Sequence, residues 1–157
     1  MMRNNPISIG IMSGRLSPQI NNHIQAFPTN FWRDEFQKAK NCGFDSIEWI
    51  FDLNNNPIFH NEGLEEMKSL SKKYDVLISA VCADYFMQKM LFNVRKSDIK
   101  QNLDVLQKLI QQCSKLEIEV LEIPFVDSSS LKIQSNTEQI VSNLHQIIDF
   151  ANSYNVK

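Results

Sequence analysis

Short apolar runs rich in Ile and Val alternate along this chain with longer segments whose apolar residues recur at helical spacing. Runs of that length predict strands, and i, i+3, i+4 recurrence predicts amphipathic helices, so the alternation reads as βα units around a parallel sheet. Four units emerge. The first joins a strand over residues 7–12 to a helix from about residue 31 to 42, through a polar loop containing Pro18, Asn21, Asn22 and Pro28. Trp32, Phe36 and Ala39 give that helix its buried stripe, and Gly43 stands where a left-handed C-cap residue stops it. A second strand follows over residues 44–51. Asn54, Asn55, Asn56 and Pro57 are turn chemistry, because Asn tolerates left-handed φ and Pro cannot donate to a sheet ladder.

Asn61 is placed to cap a second helix carrying Leu64, Met67, Leu70 and Tyr74, which Asp75 ends before a third strand over residues 76–82. Ser97 is expected to cap a long helix with Ile99, Leu103, Leu106, Ile110 and Cys113 on one face, ahead of a fourth strand over residues 120–125. Ser135 with Glu138 three residues on reads as a reciprocal capping box for a last helix through Ile140, Leu144, Ile147, Ile148 and Ala151. That helix should run to about Tyr154. Asn155, Val156 and Lys157 then fall where the rhythm places a turn and the first residues of a fifth strand, so the sequence is expected to stop in mid-pattern.

Composition narrows the partners. The chain has 157 residues, 43% of them hydrophobic and 22% charged, with a net charge of −2. A chain of this length exposes roughly 26,000 Å² unfolded and about 8,000 Å² folded, enough burial for one core without staples. The interspersed charges offer no field for a phosphate backbone or an anionic membrane. No apolar run approaches the ~18 residues that span a bilayer, and the N-terminal run is broken by Ser8, Gly10 and Ser13, so a cytoplasmic location is expected. Cys42, Cys82 and Cys113 are an odd, unpaired set and read as buried reduced thiols. His23, His60 and His145 are scattered, with no metal-binding spacing, and read as ordinary residues. No glycine-rich phosphate loop follows any strand, which weakens a nucleotide-binding reading.

In a doubly wound sheet or a barrel alike, ligands gather beyond the carboxyl ends of the strands. Those ends carry Met12-Ser13-Gly14-Arg15-Leu16-Ser17-Pro18, Glu48-Trp49-Ile50-Phe51-Asp52, Ala83-Asp84-Tyr85-Phe86-Met87 and Pro124-Phe125-Val126-Asp127. Together with Gly10-Ile11 and Gly43-Phe44-Asp45-Ser46-Ile47, they resemble the xylose-isomerase-like TIM-barrel superfamily. That superfamily holds sugar and sugar-phosphate isomerases and epimerases and the endonuclease IV relatives (AP endonuclease family 2), and the segments look like the isomerase/epimerase branch. The resemblance spans essentially the whole chain. A (β/α)₈ barrel runs to about 250 residues, so the expected fold is α/β: parallel βα units forming the N-terminal half of a TIM barrel, with residues 1–157 as one partial domain.

The resemblance implies metal-assisted proton transfer at a carbon next to a carbonyl. A divalent cation (Mn, Mg or Zn) and the proton-exchanging glutamates are expected on strands five to eight, so none is expected in this chain and the fragment is expected to be inactive alone. What remains is the substrate-shaping side of the pocket. Glu48 shares strand parity with Ser46 and Ile50, facing a barrel interior if Ile47, Trp49 and Phe51 face the helices; it reads as a ligand for sugar hydroxyls or as a structural acid with a buried partner. Arg15 reads as a clamp for phosphate or carboxylate, or as a surface residue. Asp84 and Tyr85 are placed to contact a sugar, with packing as Tyr85's other role. Glu122, alone in an apolar strand, reads as inward and functional or as bonded to a neighbour. Three rivals to the half-barrel enzyme stand beside it. One is an endonuclease IV-like nuclease, disfavoured by the charge; another is a half-barrel needing a partner half or homodimerising through exposed sheet edges; the third is a flavodoxin-like sheet covered on both faces.

Overall fold

The computed structural model of the protein describes residues 7–20, 23, 25–52 and 55–157. Asn21, Asn22 and Asn54, to which the loop and turn expectations extend, lie outside the described residues. In chain order the elements are β1 (Gly10–Met12), α1 (Trp32–Cys42), β2 (Ser46–Ile50), a 3₁₀ turn (Pro57–Phe59), α2 (Asn61–Tyr74), β3 (Leu77–Cys82), α3 (Tyr85–Gln88), α4 (Lys96–Lys115), β4 (Leu121–Glu122), a 3₁₀ turn (Asp127–Ser129) and α5 (Gln134–Ser153). All strand pairs are parallel and the sheet order is β1-β2-β3-β4.

That order decides between the two architectures. Right-handed crossovers that always step in one direction leave every helix on the same side of the sheet, whereas a doubly wound sheet requires the order to reverse. No reversal occurs among the described strands, so the units wind as a barrel does. Ile47, Trp49 and Phe51 are buried under the helices, on the side expected from their parity. At the end of the chain Lys157 N–H donates to the Glu119 carbonyl (2.7 Å) and Leu121 N–H to the Lys157 carbonyl (3.0 Å). This is a parallel bridge centred on Val120, where the rhythm places the start of a fifth strand.

The core is centred on Trp49. Its ring lies 5.1 Å from Phe27, 5.6 Å from Trp32 and 6.3 Å from Phe36. The indole N–H donates to Asn56 Oδ1 (2.9 Å), and Asn56 Nδ2 donates to the Ile50 carbonyl (2.9 Å), so a buried amide ties β2 to the turn that follows. Gly43 ends α1 in the left-handed region, φ 81°, as expected of a C-cap.

The helix starts differ from expectation. Asn61 is the first helical residue of α2 and His60 the cap position, with no side-chain cap bond. Ser97 lies inside the first turn of α4; Arg95 holds the cap position and its guanidinium grips Asp98 in two bonds of 2.9 and 3.0 Å. The capping box at Ser135 is absent, because α5 begins one residue earlier and Gln134 Nε2 reaches Glu138 first (3.1 Å). The outer strands are also shorter than their apolar runs. Ile7 and Ile9 stay exposed, with the Asp45 carboxylate taking the Ile9 N–H, and β4 stops before Pro124, which has no N–H for a ladder. Ile148 is exposed rather than part of the α5 stripe. Cys42, expected to be buried, is exposed, while Cys82 and Cys113 are buried. No described helix is long and apolar enough to cross a membrane.

Two measurements check this core. Asn56→Ala strands the Trp49 indole N–H and the Ile50 carbonyl, so it should cost about 2–4 kcal/mol in urea unfolding; a loss under about 0.5 kcal/mol, the size of an ordinary surface change, would refute the role. Native protein should show one fast thiol toward an aromatic disulfide reagent, lost in Cys42→Ser. Burial pushes the Cys113 thiol up to about 12, so it should react only on unfolding.

Candidate functional site

A cavity of about 880 Å³ opens at the carboxyl ends of the strands. Its floor is set by strand register. Ile47 pairs with Ile78 but Glu48 with Ala80, so Ser79 is bulged out and the rest of β3 moves one residue along relative to β2. Cys82 is thereby paired with Ile50 on one side, and the register of β3 with β4 pairs it with Glu122 on the other. Glu48, Cys82 and Glu122, from three neighbouring strands, offer ligand atoms that all lie within 4.8 Å of one another. Asp84 joins them from just past β3. Its Oδ1 accepts from the Cys82 thiol (3.2 Å) and its Oδ2 from Gln25 Nε2 (2.7 Å).

The electrostatics follow from that crowding. Partial burial raises the Glu48 carboxyl above the ordinary glutamate range, and the nearby Glu122 and Asp84 charges raise it further. Burial also pushes the Cys82 thiol well up, helped by its bond to Asp84. Asp52, Asp84, Glu122 and Asp127 line the cavity, and no Lys or Arg is among the described lining residues; His23 is the one potentially cationic side chain there. Asp52 is already committed, accepting the Phe27 N–H at 2.9 Å.

One rim of the cavity is the loop after β1, held from beneath by a side chain that the strand-end motifs do not contain. Glu35 of α1 is buried, and its carboxylate accepts the Gly14 N–H (2.9 and 2.8 Å), the Leu16 N–H (3.2 Å) and the Ser17 hydroxyl (2.7 Å). Gly14 makes this turn at φ +87°, where a Cβ would lie 2.7 Å from the Ala26 carbonyl oxygen. Ser13 next to it accepts the Ile50 N–H (3.0 Å), which fixes the loop to β2.

Of the residues singled out at the strand ends, Glu48, Asp84 and Glu122 converge. Tyr85 does not join them. It is half-buried in an aromatic group, 5.4 Å from Phe51 and 5.2 Å from Phe86, in the packing role. Arg15 is exposed, its Nη2 4.0 Å from Met12 Sδ, and is outside the cavity lining. His60 and His145 are exposed away from the cavity, whereas His23 lines it. Cys82 was legible as a strand-end residue but not as a member of the cluster, since only register brings it beside Glu122. Gln25 carried no signal, lying in an unpatterned loop. Glu35 had one: an acid on the buried stripe side of a helix needs a partner.

The fold has relatives among solved structures. A D-psicose 3-epimerase determined in the presence of D-fructose superposes with a TM-score of 0.67 at 14% identity, covering 96% of this chain and 50% of that one. A D-psicose 3-epimerase with D-tagatose from Clostridium cellulolyticum H10 gives 0.65 at 14% identity, with the same coverage. The IOLI protein with a binding zinc atom gives 0.60 at 19% identity, over 80% of this chain and 43% of that one. The chain thus spans about half the length of these proteins. No curated protein matches the sequence. The family model described as xylose isomerase-like TIM barrel matches residues 36–157. With four parallel strands in barrel order and ligand-ready side chains at their carboxyl ends, the chain belongs to the xylose isomerase-like TIM barrel family.

Proposed function

We propose that this chain is the substrate-shaping wall of a sugar isomerase or epimerase, in which Glu48, Asp84 and Glu122 accept hydrogen bonds from sugar hydroxyls. The observation that carries the reading is the convergence of these carboxylates at the strand ends, in a fold whose solved relatives were determined with fructose and tagatose. Carboxylates suit polyols because each accepts from two adjacent hydroxyls, and charged acceptors make the stronger bonds. Gln25 orients Asp84, and Glu35 holds the loop that rims the cavity. The lining acids, unopposed by Lys or Arg, favour an uncharged sugar over its phosphate on this wall. The same field gives a nucleic-acid backbone nothing to bind, against the nuclease reading.

A divalent cation held by residues beyond these four units would supply Lewis-acid polarisation of a sugar's adjacent carbonyl and hydroxyl oxygens. The chain's own part is to bind and orient. Proton exchange at the carbon next to the carbonyl then needs groups beyond these four units, and the isolated chain binds without turning over. Leu77 and Val120, large apolar residues on strand ends left exposed, support the need for a covering half.

Two tests follow. Titration with D-fructose or D-tagatose, followed by amide NMR, should shift residues around Glu48, Asp84 and Glu122, and the phosphate esters should bind no tighter. Glu48→Gln should weaken binding about fivefold, the equivalent of about 1 kcal/mol for one hydrogen bond; shifts that map elsewhere, or are indifferent to this change, would refute the wall assignment. No deuterium should enter the sugar from D₂O, and incorporation by these 157 residues alone would overturn the proposed division of labour. Separately, Glu35→Ala leaves the Gly14 and Leu16 N–H groups and the Ser17 hydroxyl without their acceptor. It should cost about 2–3 kcal/mol and weaken sugar binding together with it; full binding in a destabilised variant would show that the rim is irrelevant.

A further inference from the structure

We propose that two copies of this chain pair about a two-fold axis parallel to the strands, the β1 edge of each laid on the β4 edge of the other, so that the bare inner face of each sheet is covered by its mate. The inference rests on the strand order and the exposed surface, and it stands independently of the sugar reading.

Area comes first. The chain exposes 10045 Å² of surface, over 1,000 Å² more than the roughly 8,000 Å² expected of a self-contained monomer of its mass. An excess of that size on each of two copies gives a pair more than about 2,000 Å² to bury, the range of obligate homodimers. The inner face of the sheet contributes to it directly. With the helices on the other side, Leu77 is 67% and Val120 46% exposed, and Ser79, bulged out of β3, is exposed beside them. Leu77 pairs with Ser46, and Val120 stands two residues before Glu122, so both share the face of Glu48 and Glu122 but lie below them, at the amino ends of their strands. A covering copy therefore packs apolar on apolar at the base and leaves the carboxylates at the mouth, in water.

Closure decides that the occupant is a second copy. A barrel of this kind closes with eight strands, and four in sequential order span half the turn. Bringing β1 of a second copy to the open side of β4 is then a half-turn about the barrel axis, which keeps every strand parallel and closes at two copies instead of running on as a filament. The edges carry the matching groups. On the open side of β4, Lys157 already bridges Glu119 and Leu121 as a parallel partner does. One rung further along, alternation turns the Leu121 C=O and the Ile123 N–H outward, and neither has a partner among the described residues. On β1, the Ile9 carbonyl and the Ser13 N–H bond to β2, so alternation turns both backbone groups of Gly10 to the open side. The second copy's Gly10 N–H can thus donate to the Leu121 C=O while the Ile123 N–H donates to its C=O. Gly10, paired with Ser46, is an inward position like Glu122, so the rung agrees with the parity of both strands.

Sedimentation of the native chain over a concentration series up to about 100 µM should show a species of twice the 18.2 kDa chain mass and nothing larger. Leu77→Lys and Val120→Lys, at side chains the fold leaves exposed, should each weaken dimerisation at least tenfold with the helical circular dichroism unchanged, while Lys72→Glu on the outer side of α2 leaves it as it is. Amide exchange at Gly10 and Ile123 should slow as the dimer forms. A monomer throughout the series would overturn the proposal and leave the face to a different partner. Open polymers would overturn the closure, and a dimer indifferent to both inner-face substitutions would overturn the face. Should the lysine variants fail to fold, exchange in the native chain decides: a dimer in which the Gly10 and Ile123 amides stay unprotected rejects the edge pairing.

Discussion

The buried hydrogen bond between the Trp49 indole and Asn56 is the constraint on which the rest depends. Trp49 sits beneath α1 among Phe27, Trp32 and Phe36, and the same Asn56 amide holds the Ile50 carbonyl at the end of β2. Once that face of β2 is committed to the helices, strand alternation leaves Glu48 no choice but the other face. A carboxylate that would be costly to bury under helices is instead delivered to the mouth of the sheet. Core and site are two consequences of one parity.

The sequential strand order then compounds the effect. Each crossover adds a strand on the same side, so β3 and β4 bring their own inward residues to the level reached by Glu48. The result is an unusual concentration of like charge for a protein whose overall balance is near neutral. Like charges held a few ångströms apart raise one another's proton affinity, as seen in the direction of the Glu48 shift, and such sites persist where a ligand relieves them. Polyol hydroxyls relieve them by donating hydrogen bonds. Glu35 plays the opposite part on the far side of β1: a buried carboxylate fully satisfied by loop donors, and therefore structural.

Local rules governed by backbone conformation were legible residue by residue. The alternation of β and helical periods, the stop at Gly43, the ending of α2 at Asp75 and the outward parity of Ile47, Trp49 and Phe51 depend only on neighbours in the chain. The helix starts were less so. Ser97 and Ser135 each had a competing side chain within one or two residues, Arg95 and Gln134, and propensity does not say which polar group reaches its partner first. Strand ends failed for a related reason: an apolar run says what can be buried, whereas a strand ends where its neighbour stops pairing.

By itself, the sequence determined the βα rhythm and the family to which the strand-end motifs belong, and it singled out acids at Glu48, Asp84 and Glu122 at the strand ends without saying whether they meet. Only the tertiary structure decided which of those ends meet. The bulge at Ser79 sets β3 one residue along β2 and brings Cys82 within reach of Glu48, while the separate register of β3 with β4 sets Cys82 beside Glu122. Register is a relation between strands thirty or more residues apart, fixed by packing on both faces of the sheet, and no local pattern encodes it.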